Sequence, residues 1–299
     1  MGTVGSSIAL VGPGAIGSTV AALLYAAGHR VTLCGHTSRA QIEVRRDQPG
    51  DTIVVPGPVL TDPCDVDGRV DLVLLAVKDT HNEQAAGWLH RLCDDHTVVC
   101  VLQNGVEQVE RVGEFFPSEH IVPAVVWFSA EPQPGGWVRL RTDVRLVLPD
   151  CEDAETLAAV LRPAGVTVDL DPDFSTEAWR KLLVNALAGF MVLARRRSGM
   201  FRRADIAALA RRYLTECLAV ARAEGAALPD TVIDEITEMF ATGPQDLTTS
   251  MLTDANAGRR LEWDIRNGVI VRKAAQHGLA TPVSDVVVPL LAAASDGPG

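Results

Sequence analysis

The sequence predicts an α/β chain in which a doubly wound domain with a parallel sheet precedes an all-helical domain. Apolar strands alternate with helices up to about residue 170, as in parallel α/β sheets. The strand signals end near Asp171-Pro172-Asp173, and residues 175–295 have helical patterning almost throughout. A length of 299 residues with 47% hydrophobic residues is enough for two cores. We therefore expect two domains, residues 1–172 and 173–299.

The first predicted βαβ unit carries a glycine motif. Strand Ile8–Val11 leads into the motif, an apolar helix then runs to Gly28, and a second strand begins at Val31. The motif consists of Gly12, Pro13, Gly14, Ala15, Ile16 and Gly17. A GxGxxG pattern between a strand and a helix is the dinucleotide fingerprint, because its glycines allow the tight turn and the approach of the pyrophosphate. The N-terminal domain is thus predicted to be a Rossmann-type nucleotide-binding domain.

The remaining predicted elements follow the same division. The further strands are Thr52–Val55, Pro58–Leu60, Asp71–Val77, Thr97–Leu102, Ile121–Ser129, Trp137–Arg141, Val144–Leu148 and Val166–Leu170. The helices are Asn82–Cys93, Asp150–Leu161, Ser175–Arg196, Ala204–Glu224, Asp230–Ala241, Leu247–Ala257, Leu261–His277 and Val283–Ala294. Continuous apolar strands are typical of a parallel sheet that is covered on both faces. Most of the helix breaks fall at glycines, which commonly end helices.

The end of the second strand indicates which dinucleotide binds. NAD-binding units carry Asp or Glu there, which accepts hydrogen bonds from the ribose 2′-hydroxyl. Residues 33–39 contain no carboxylate, whereas His36 and Arg39 supply basic side chains. A carboxylate would repel a 2′-phosphate and these basic residues would attract it. The sequence therefore favours NADP(H) over NAD(H), unless both residues are merely solvated loop side chains.

The helical half carries the residues that suit reduction of a ketone. Lys181 and Asn185 are four residues apart on a predicted helix, so they share one face. Ser250 and Glu262 bracket a helix break at Gly258. Hydride transfer to a carbonyl leaves negative charge on oxygen, and a lysine supplies both a positive charge and a proton there. The alternative is that Lys181 is an ordinary solvated helix residue.

The order of these motifs resembles that of ketopantoate reductases, and the resemblance spans nearly the whole chain. It is carried by Gly12–Gly17, Lys78, Gln103-Asn104-Gly105, Trp179-x-Lys181-x-x-x-Asn185, Ser250-Met251-x-x-Asp254, Glu262-x-Asp264-x-x-Asn267-Gly268 and Gly278…Pro282. The resemblance implies NADPH-dependent reduction of 2-dehydropantoate, a small 2-oxo acid, to pantoate. It also implies a cleft between the two domains.

The resemblance assigns a role to each matched residue of the helical domain. Lys181 would be the general acid, and Glu262 would bind the substrate hydroxyl and help to place Lys181. Asn185 and Ser250 would contact the substrate, with Ser250 near its carboxylate. In the first domain, Asn104 would lie beside the nicotinamide and the active-site lysine, where it would also contact the substrate.

Lys78 matches the family pattern and would lie near the adenosine phosphate. Two other positions depart from that pattern. The family often has a second asparagine where this chain has Gly189, so the substrate could be another 2-oxo acid. The family commonly has arginine where this chain has His36, with Arg39 as a substitute contact to the 2′-phosphate.

Two other function classes use a similar nucleotide domain. A non-enzymatic NADP(H)-binding sensor would not need Lys181, Asn185, Ser250 and Glu262 together. A methyltransferase that uses S-adenosylmethionine would usually have an acid after the second strand, and this chain has none there. We therefore expect an oxidoreductase.

Composition limits the kinds of partner and the cellular compartment that we expect for this protein. A net charge of −11 argues against a nucleic-acid-binding protein, which would need a basic surface. We expect no membrane span, because no apolar run reaches 18 residues. The six cysteines lack metal-site spacing, so we expect reduced thiols and no bound metal. We also expect a cytoplasmic protein without a signal peptide. The basic cluster Arg195–Arg197 suits a helix C-terminus. The sequence does not determine the oligomeric state, and a homodimer is possible.

Overall fold

The first part of the described chain combines strands with helices, and helices alone follow. The computed structural model describes residues 6–46 and 51–297. It divides into two units, Met1–Phe174 and Ser175–Gly299. The predicted domain limits at residues 1 and 299 lie outside the described residues. The predicted α/β fold, with a Rossmann-type domain before a helical domain, is confirmed.

The N-terminal unit contains thirteen strands and four α-helices within its described residues. The strands are β1 (Ser7–Val11), β2 (Arg30–Cys34), β3 (Gln41–Arg46), β4 (Thr52–Pro56), β5 (Val59–Leu60), β6 (Leu72–Leu75), β7 (Val98–Val101), β8 (Ile121–Pro123), β9 (Val125–Val126), β10 (Ala130–Pro132), β11 (Val138–Leu140), β12 (Arg145–Pro149) and β13 (Thr167–Asp171). The helices are α1 (Ala15–Ala26), α2 (Asn82–Leu92), α3 (Gln108–Gly113) and α4 (Glu152–Leu161).

A six-stranded parallel sheet in the order β5-β2-β1-β6-β7-β8 organises this unit. Its central strand β1 is apolar on both faces. Ile8 and Leu10 pack into a core that includes residues of α1, whereas Ala9 and Val11 pack into a core that includes residues of α2. Burial on both faces explains why β1 has no polar alternation.

Two smaller sheets complete the unit, and here the sequence prediction was incomplete. The strands of one are ordered β10-β11-β3-β4 and those of the other β13-β12-β9. Strand β3 was not predicted, since it is stabilised by pairing with β4 and with the distant β11. The single strand expected over Ile121–Ser129 is wrong, because β8 extends the parallel sheet and β9 pairs antiparallel with β12.

Helices are the only regular secondary structure among the described residues of the C-terminal unit, and the first of them begins at Phe174, one residue before the unit. Its α-helices are α5 (Phe174–Ala194), α6 (Ala204–Ala223), α7 (Thr231–Thr242), α8 (Ser250–Asn256), α9 (Val269–His277) and α10 (Ser284–Asp296). The helix expected over Leu261–His277 begins instead as a π-helical turn, Asp264–Gly268, which continues into α9. Such turns contain one extra residue per turn and are frequent at functional sites.

Arg197 of the basic cluster Arg195–Arg197 and the nearby Arg202 bind backbone carbonyls. Arg197 donates to the carbonyl oxygen of Asp246 over 3.0 Å, and Arg202 donates to that of Ala241 over 2.9 Å. These bonds satisfy carbonyls at and beyond the end of α7, as expected for basic residues near helix C-termini. The described helices include none that is long and apolar enough to cross a membrane.

Candidate functional site

The predicted cofactor residues follow neighbouring strands of the parallel sheet. Gly12 follows β1, and His36 lies two residues beyond β2. Lys78 and Asn104 lie three residues beyond β6 and β7. Because these four strands are parallel and adjacent, the structure brings the four residues to one edge of the sheet. This carboxyl edge is where open α/β sheets bind ligands.

The three motif glycines differ in what surrounds them. Gly12 has a φ of +97°, and a Cβ there would lie 2.7 Å from the backbone nitrogen of Val77. A Cβ on Gly17 would lie 2.6 Å from Leu10 Cδ1. A Cβ on Gly14 would meet nothing within 4 Å. The fold itself therefore requires Gly12 and Gly17, whereas Gly14 leaves open space beside the loop.

The N-terminus of α1 suits a phosphate group. Its cap is Gly14, which has no side chain to bond the first N–H groups, and the first turn, Ala15–Ser18, contains no acid. The N–H groups and the positive end of the helix dipole therefore favour an external anion. With the open space beside Gly14, these residues fit the pyrophosphate of a dinucleotide.

The loop after β2 joins the glycine motif closely. The Gly12 N–H donates to the carbonyl of Cys34 over 2.9 Å, and a Cβ on Gly35 would lie 2.7 Å from Pro13 Cδ. His36 and Arg39 are exposed. The Arg39 carbonyl accepts from the Val59 N–H over 2.8 Å. The backbone is thus fixed while both basic side chains face solvent, as contact with a 2′-phosphate requires.

Buried amides hold the loops that carry Lys78 and Asn104. Gln103 Nε2 donates to the Val77 carbonyl over 3.0 Å and to Asn82 Oδ1 over 2.6 Å. Gln108 Nε2 donates to the Gln103 carbonyl over 2.9 Å. These bonds tie the residue before Lys78 to the residue before Asn104. The supporting amides of Asn82 and Gln108 were missed in the sequence, since they act across separate elements.

Lys181 and Asn185 lie one turn apart on α5, as predicted, and both are half-buried. Burial, followed by the nearby positive charge of Arg266, lowers the pKa of Lys181 to about 8, and Glu177 opposes this shift. A lysine with a pKa this close to neutrality is a better proton donor than an exposed one.

Ser250 and Glu262 are joined by Arg266, a residue that the sequence reasoning missed. Arg266 Nη2 donates to Ser250 Oγ and to Glu262 Oε2, each over 3.1 Å. Arg266 is 3% exposed and Glu262 is 8% exposed. The four-residue spacing from Glu262 to Arg266 was a visible signal of a helical ion pair. The structure therefore connects Glu262 to Lys181 through the charge of Arg266, and direct placement of Lys181 by Glu262 stays a prediction.

The space at Gly189 is filled by a buried asparagine. A Cβ on Gly189 would lie 3.0 Å from Asn267 Nδ2 and 3.0 Å from Leu291 Cδ1. Asn267 Nδ2 donates to the Ala186 carbonyl and to the Tyr213 hydroxyl, each over 2.9 Å. A side chain at position 189 would therefore require the side chain of Asn267 or Leu291 to shift.

Comparisons with known proteins match both domains of the chain. The family model "Ketopantoate reductase PanE/ApbA" matches residues 8–153, and its C-terminal model matches residues 173–295. A 2-dehydropantoate 2-reductase of Mycobacterium tuberculosis is 67% identical, over 98% of this chain and 99% of that protein.

Solved structures show the same architecture. A dimeric ketopantoate reductase from Staphylococcus aureus is 26% identical with a TM-score of 0.88, covering 98% of this chain and 100% of that one. A PanE/ApbA family ketopantoate reductase from Ralstonia eutropha is 30% identical with a TM-score of 0.86, covering 97% and 98%. Both domains of the family are matched in order along a single chain, and this chain belongs to the ketopantoate reductase PanE/ApbA family.

Proposed function

We propose that this protein catalyses the NADPH-dependent reduction of 2-dehydropantoate to pantoate, with Lys181 as the general acid. The observation that carries the proposal is the half-buried Lys181 with its pKa lowered to about 8, in a chain that matches both models of the family. A sensor that only binds a nucleotide has no use for such a proton donor.

The N-terminal unit would hold the cofactor. Gly14 and the start of α1 would bind the pyrophosphate, and Arg39 with His36 would bind the 2′-phosphate. Lys78 would lie near the adenosine phosphate and Asn104 near the nicotinamide. When bound, NADPH supplies the hydride that adds to the substrate carbonyl carbon.

Lys181 would supply the proton. Its ammonium stabilises the negative charge that develops on the carbonyl oxygen and then donates the proton that completes the hydroxyl group. A pKa of about 8 leaves the side chain mostly charged at neutral pH while making it a stronger acid than free lysine. Solvent returns the proton before the next turnover.

The other polar residues of the C-terminal unit would place the substrate. Ser250 would donate its hydroxyl hydrogen to the substrate carboxylate, while Asn185 and Glu262 would bind the substrate hydroxyl. Ser250 is exposed on the first turn of α8 and accepts a hydrogen bond from the buried Arg266. This arrangement keeps the serine oxygen in place and directs its own hydrogen away from Arg266.

The assembly and the location are further parts of the proposal. The Staphylococcus aureus relative is described as dimeric, and we expect a homodimer, which sedimentation velocity would detect. All six cysteines, each within the described residues, carry free thiols. Free thiols suit a reducing compartment, which is consistent with a cytoplasmic location.

Steady-state kinetics with NADPH and a panel of 2-oxo acids would test the function. We expect 2-dehydropantoate to have the highest kcat/KM. The variant Lys181→Ala should lower kcat by roughly 10²–10⁴-fold, the usual range for a general acid, without a change in NADPH affinity.

The chain offers a matched control for this experiment. It contains three lysines, and Lys273 lies in the same unit, where it pairs with Glu224 over 3.0 Å. Lys273→Ala should keep nearly normal kcat. A Lys181→Ala protein with normal kcat would show that the proton comes from another group, and a higher kcat/KM for a different 2-oxo acid would correct the substrate.

A further inference from the structure

Arg266 is a buried arginine to which the family motif assigns no role. The motif Glu262-x-Asp264-x-x-Asn267 leaves position 266 open, and this chain has arginine there. It lies in the π-helical turn Asp264–Gly268 and is only 3% exposed. Arginine is almost never buried to this extent unless it is paired, so its environment indicates what it does.

The guanidinium group contacts two of the proposed substrate residues at once. Its Nη2 lies 3.1 Å from Ser250 Oγ and 3.1 Å from Glu262 Oε2. Because Ser250 accepts this charged hydrogen bond, its own hydroxyl hydrogen must be donated elsewhere. A hydroxyl that accepts from a cation is also polarised and becomes a stronger donor.

One donor of the guanidinium group is left unsatisfied. Its Nε is buried and has no hydrogen-bond partner among the described residues. A buried donor of this kind is usually satisfied by water or by a ligand. Because Nε is buried, a substrate carboxylate would feel the positive charge of Arg266 through Ser250 rather than bind Nε itself.

We propose that Arg266 determines the selectivity of this enzyme for substrates with a free carboxylate, by orienting the Ser250 hydroxyl and by placing a positive charge behind it. This inference rests on the proposed function. Arg266 acts here as a positioning residue through Ser250 and Glu262, and its charge favours a 2-oxo acid over a neutral ketone of similar shape.

The test compares an anionic with a neutral ligand of the same skeleton. Inhibition constants for pantoate and for its primary amide would be measured in the wild type, Arg266→Met, Arg266→Lys and Arg272→Met. Arg272 is the matched control, since it lies on the adjoining helix α9 and pairs with Asp264. Far-UV circular dichroism and NADPH titration would verify that each variant is folded.

We expect Arg266→Met to bind pantoate about 10- to 100-fold more weakly, the value of one charge-assisted interaction, and to lose the preference for pantoate over the amide. Arg272→Met should keep both affinities within about twofold, because its partner Asp264 is not one of the proposed substrate residues. Arg266→Lys should recover part of the preference, because it keeps the charge without the fork. If Arg266→Met does not fold, the preference of Arg266→Lys for pantoate over the amide is compared with that of the wild type instead.

A second measurement is independent of turnover. Competitive acylation would report the pKa of Lys181 beside that of Lys273. The charges that act on Lys181 include those of Arg266 from the π-helical turn and Glu177 from its own helix. Removing Arg266 should therefore raise the pKa of Lys181, and the lysine variant should leave it nearly unchanged.

The outcomes separate this inference from the proposed function. If Arg266→Met keeps the wild-type preference for pantoate over its amide, Arg266 is only a structural residue and the inference is wrong. If the wild type binds pantoate through Arg266 but reduces no 2-dehydropantoate, the proposed function is wrong and the selectivity role stands.

Discussion

The properties of single residues determine the chemistry, and Lys181 is the clearest example. The i, i+4 spacing of Lys181 and Asn185 made this pair predictable from sequence, because a helix places such residues on one face. Arg266 was not predicted, since its importance depends on burial and on contacts with residues that are distant in the chain. Burial and Arg266 together lower the pKa of Lys181 to about 8, and two predictions follow at this scale.

The first prediction concerns pH. If Lys181 must be protonated to act as the acid, kcat/KM for reduction should be constant below its pKa and fall tenfold per pH unit above about 8. A profile of kcat/KM from pH 6 to 10, with saturating NADPH, measures this fall in kcat/KM at high pH. A fall that begins near pH 10.5, the ordinary value for lysine, would show that the proton donor is not held in a desolvated site.

The second prediction concerns stability. Because the pKa of Lys181 is lower in the folded than in the unfolded protein, the folded state is penalised below pH 8, and the penalty disappears between pH 8 and 10.5. Lys181→Met should therefore raise the free energy of unfolding at pH 7 by about 1–3 kcal/mol, allowing for the partial exposure of the side chain.

Urea unfolding without cofactor at pH 7 and pH 10 would measure this effect. The difference between the wild type and Lys181→Met should shrink at pH 10, where the wild-type lysine is neutral. A variant that is less stable than the wild type at pH 7 would mean that the ammonium is fully compensated in the folded state.

At the scale of elements, the β1-α1-β2 unit with its glycine loop shows which secondary structure could be predicted from the sequence. The β1-α1-β2 unit was predicted because its signals are local: an apolar strand, three spaced glycines and an apolar helix. Strand β3 and the π-helical turn Asp264–Gly268 were not predicted. The first depends on pairing with β11, and the second depends on one extra residue in a turn, which leaves no distinct pattern in the sequence.

The loop also yields a prediction that separates folding from binding. Gly14→Ala should change the free energy of unfolding by less than about 1 kcal/mol, the range of helix-cap effects, because a Cβ there meets nothing within 4 Å. It should nevertheless weaken NADPH binding, since the methyl group would occupy the space proposed for the pyrophosphate. Chemical denaturation and fluorescence titration of NADPH measure the two quantities.

Gly17→Ala is the matched comparison. Its Cβ would lie 2.7 Å from the carbonyl oxygen of Gly12 and 2.6 Å from Leu10 Cδ1, so it should destabilise the fold by about 1–3 kcal/mol through overpacking. Equal effects of the two substitutions on stability would contradict the different roles that we assign to Gly14 and Gly17.

For the whole molecule, the notable property is that a chain with a net charge of −11 binds two anionic ligands in the proposed reaction. Local basic residues must therefore overcome an unfavourable overall charge. We expect NADPH at 100 times its dissociation constant to raise the free energy of unfolding by about 2.7 kcal/mol. NADH at the same concentration should raise it less, because it lacks the 2′-phosphate.

Thermal unfolding with each dinucleotide measures this difference. Arg39→Ala should remove the advantage of NADPH over NADH, whereas Arg30→Ala should preserve it, because Arg30 lies at the opposite end of β2. An unchanged advantage in Arg39→Ala would leave recognition of the 2′-phosphate to other residues such as His36.

The contact between Gly35 and Pro13 limits which residues could be substituted to change the coenzyme preference from NADPH to NADH. A side chain at position 35 would press on Pro13, with a Cβ only 2.7 Å from Cδ, and would displace the glycine loop itself. His36 is the next residue and is exposed, so it has room for an acid that accepts the ribose hydroxyls. Conversion of this reductase to NADH, by engineering or by evolution, would therefore start with His36→Asp, and Gly35 would remain glycine in either coenzyme class.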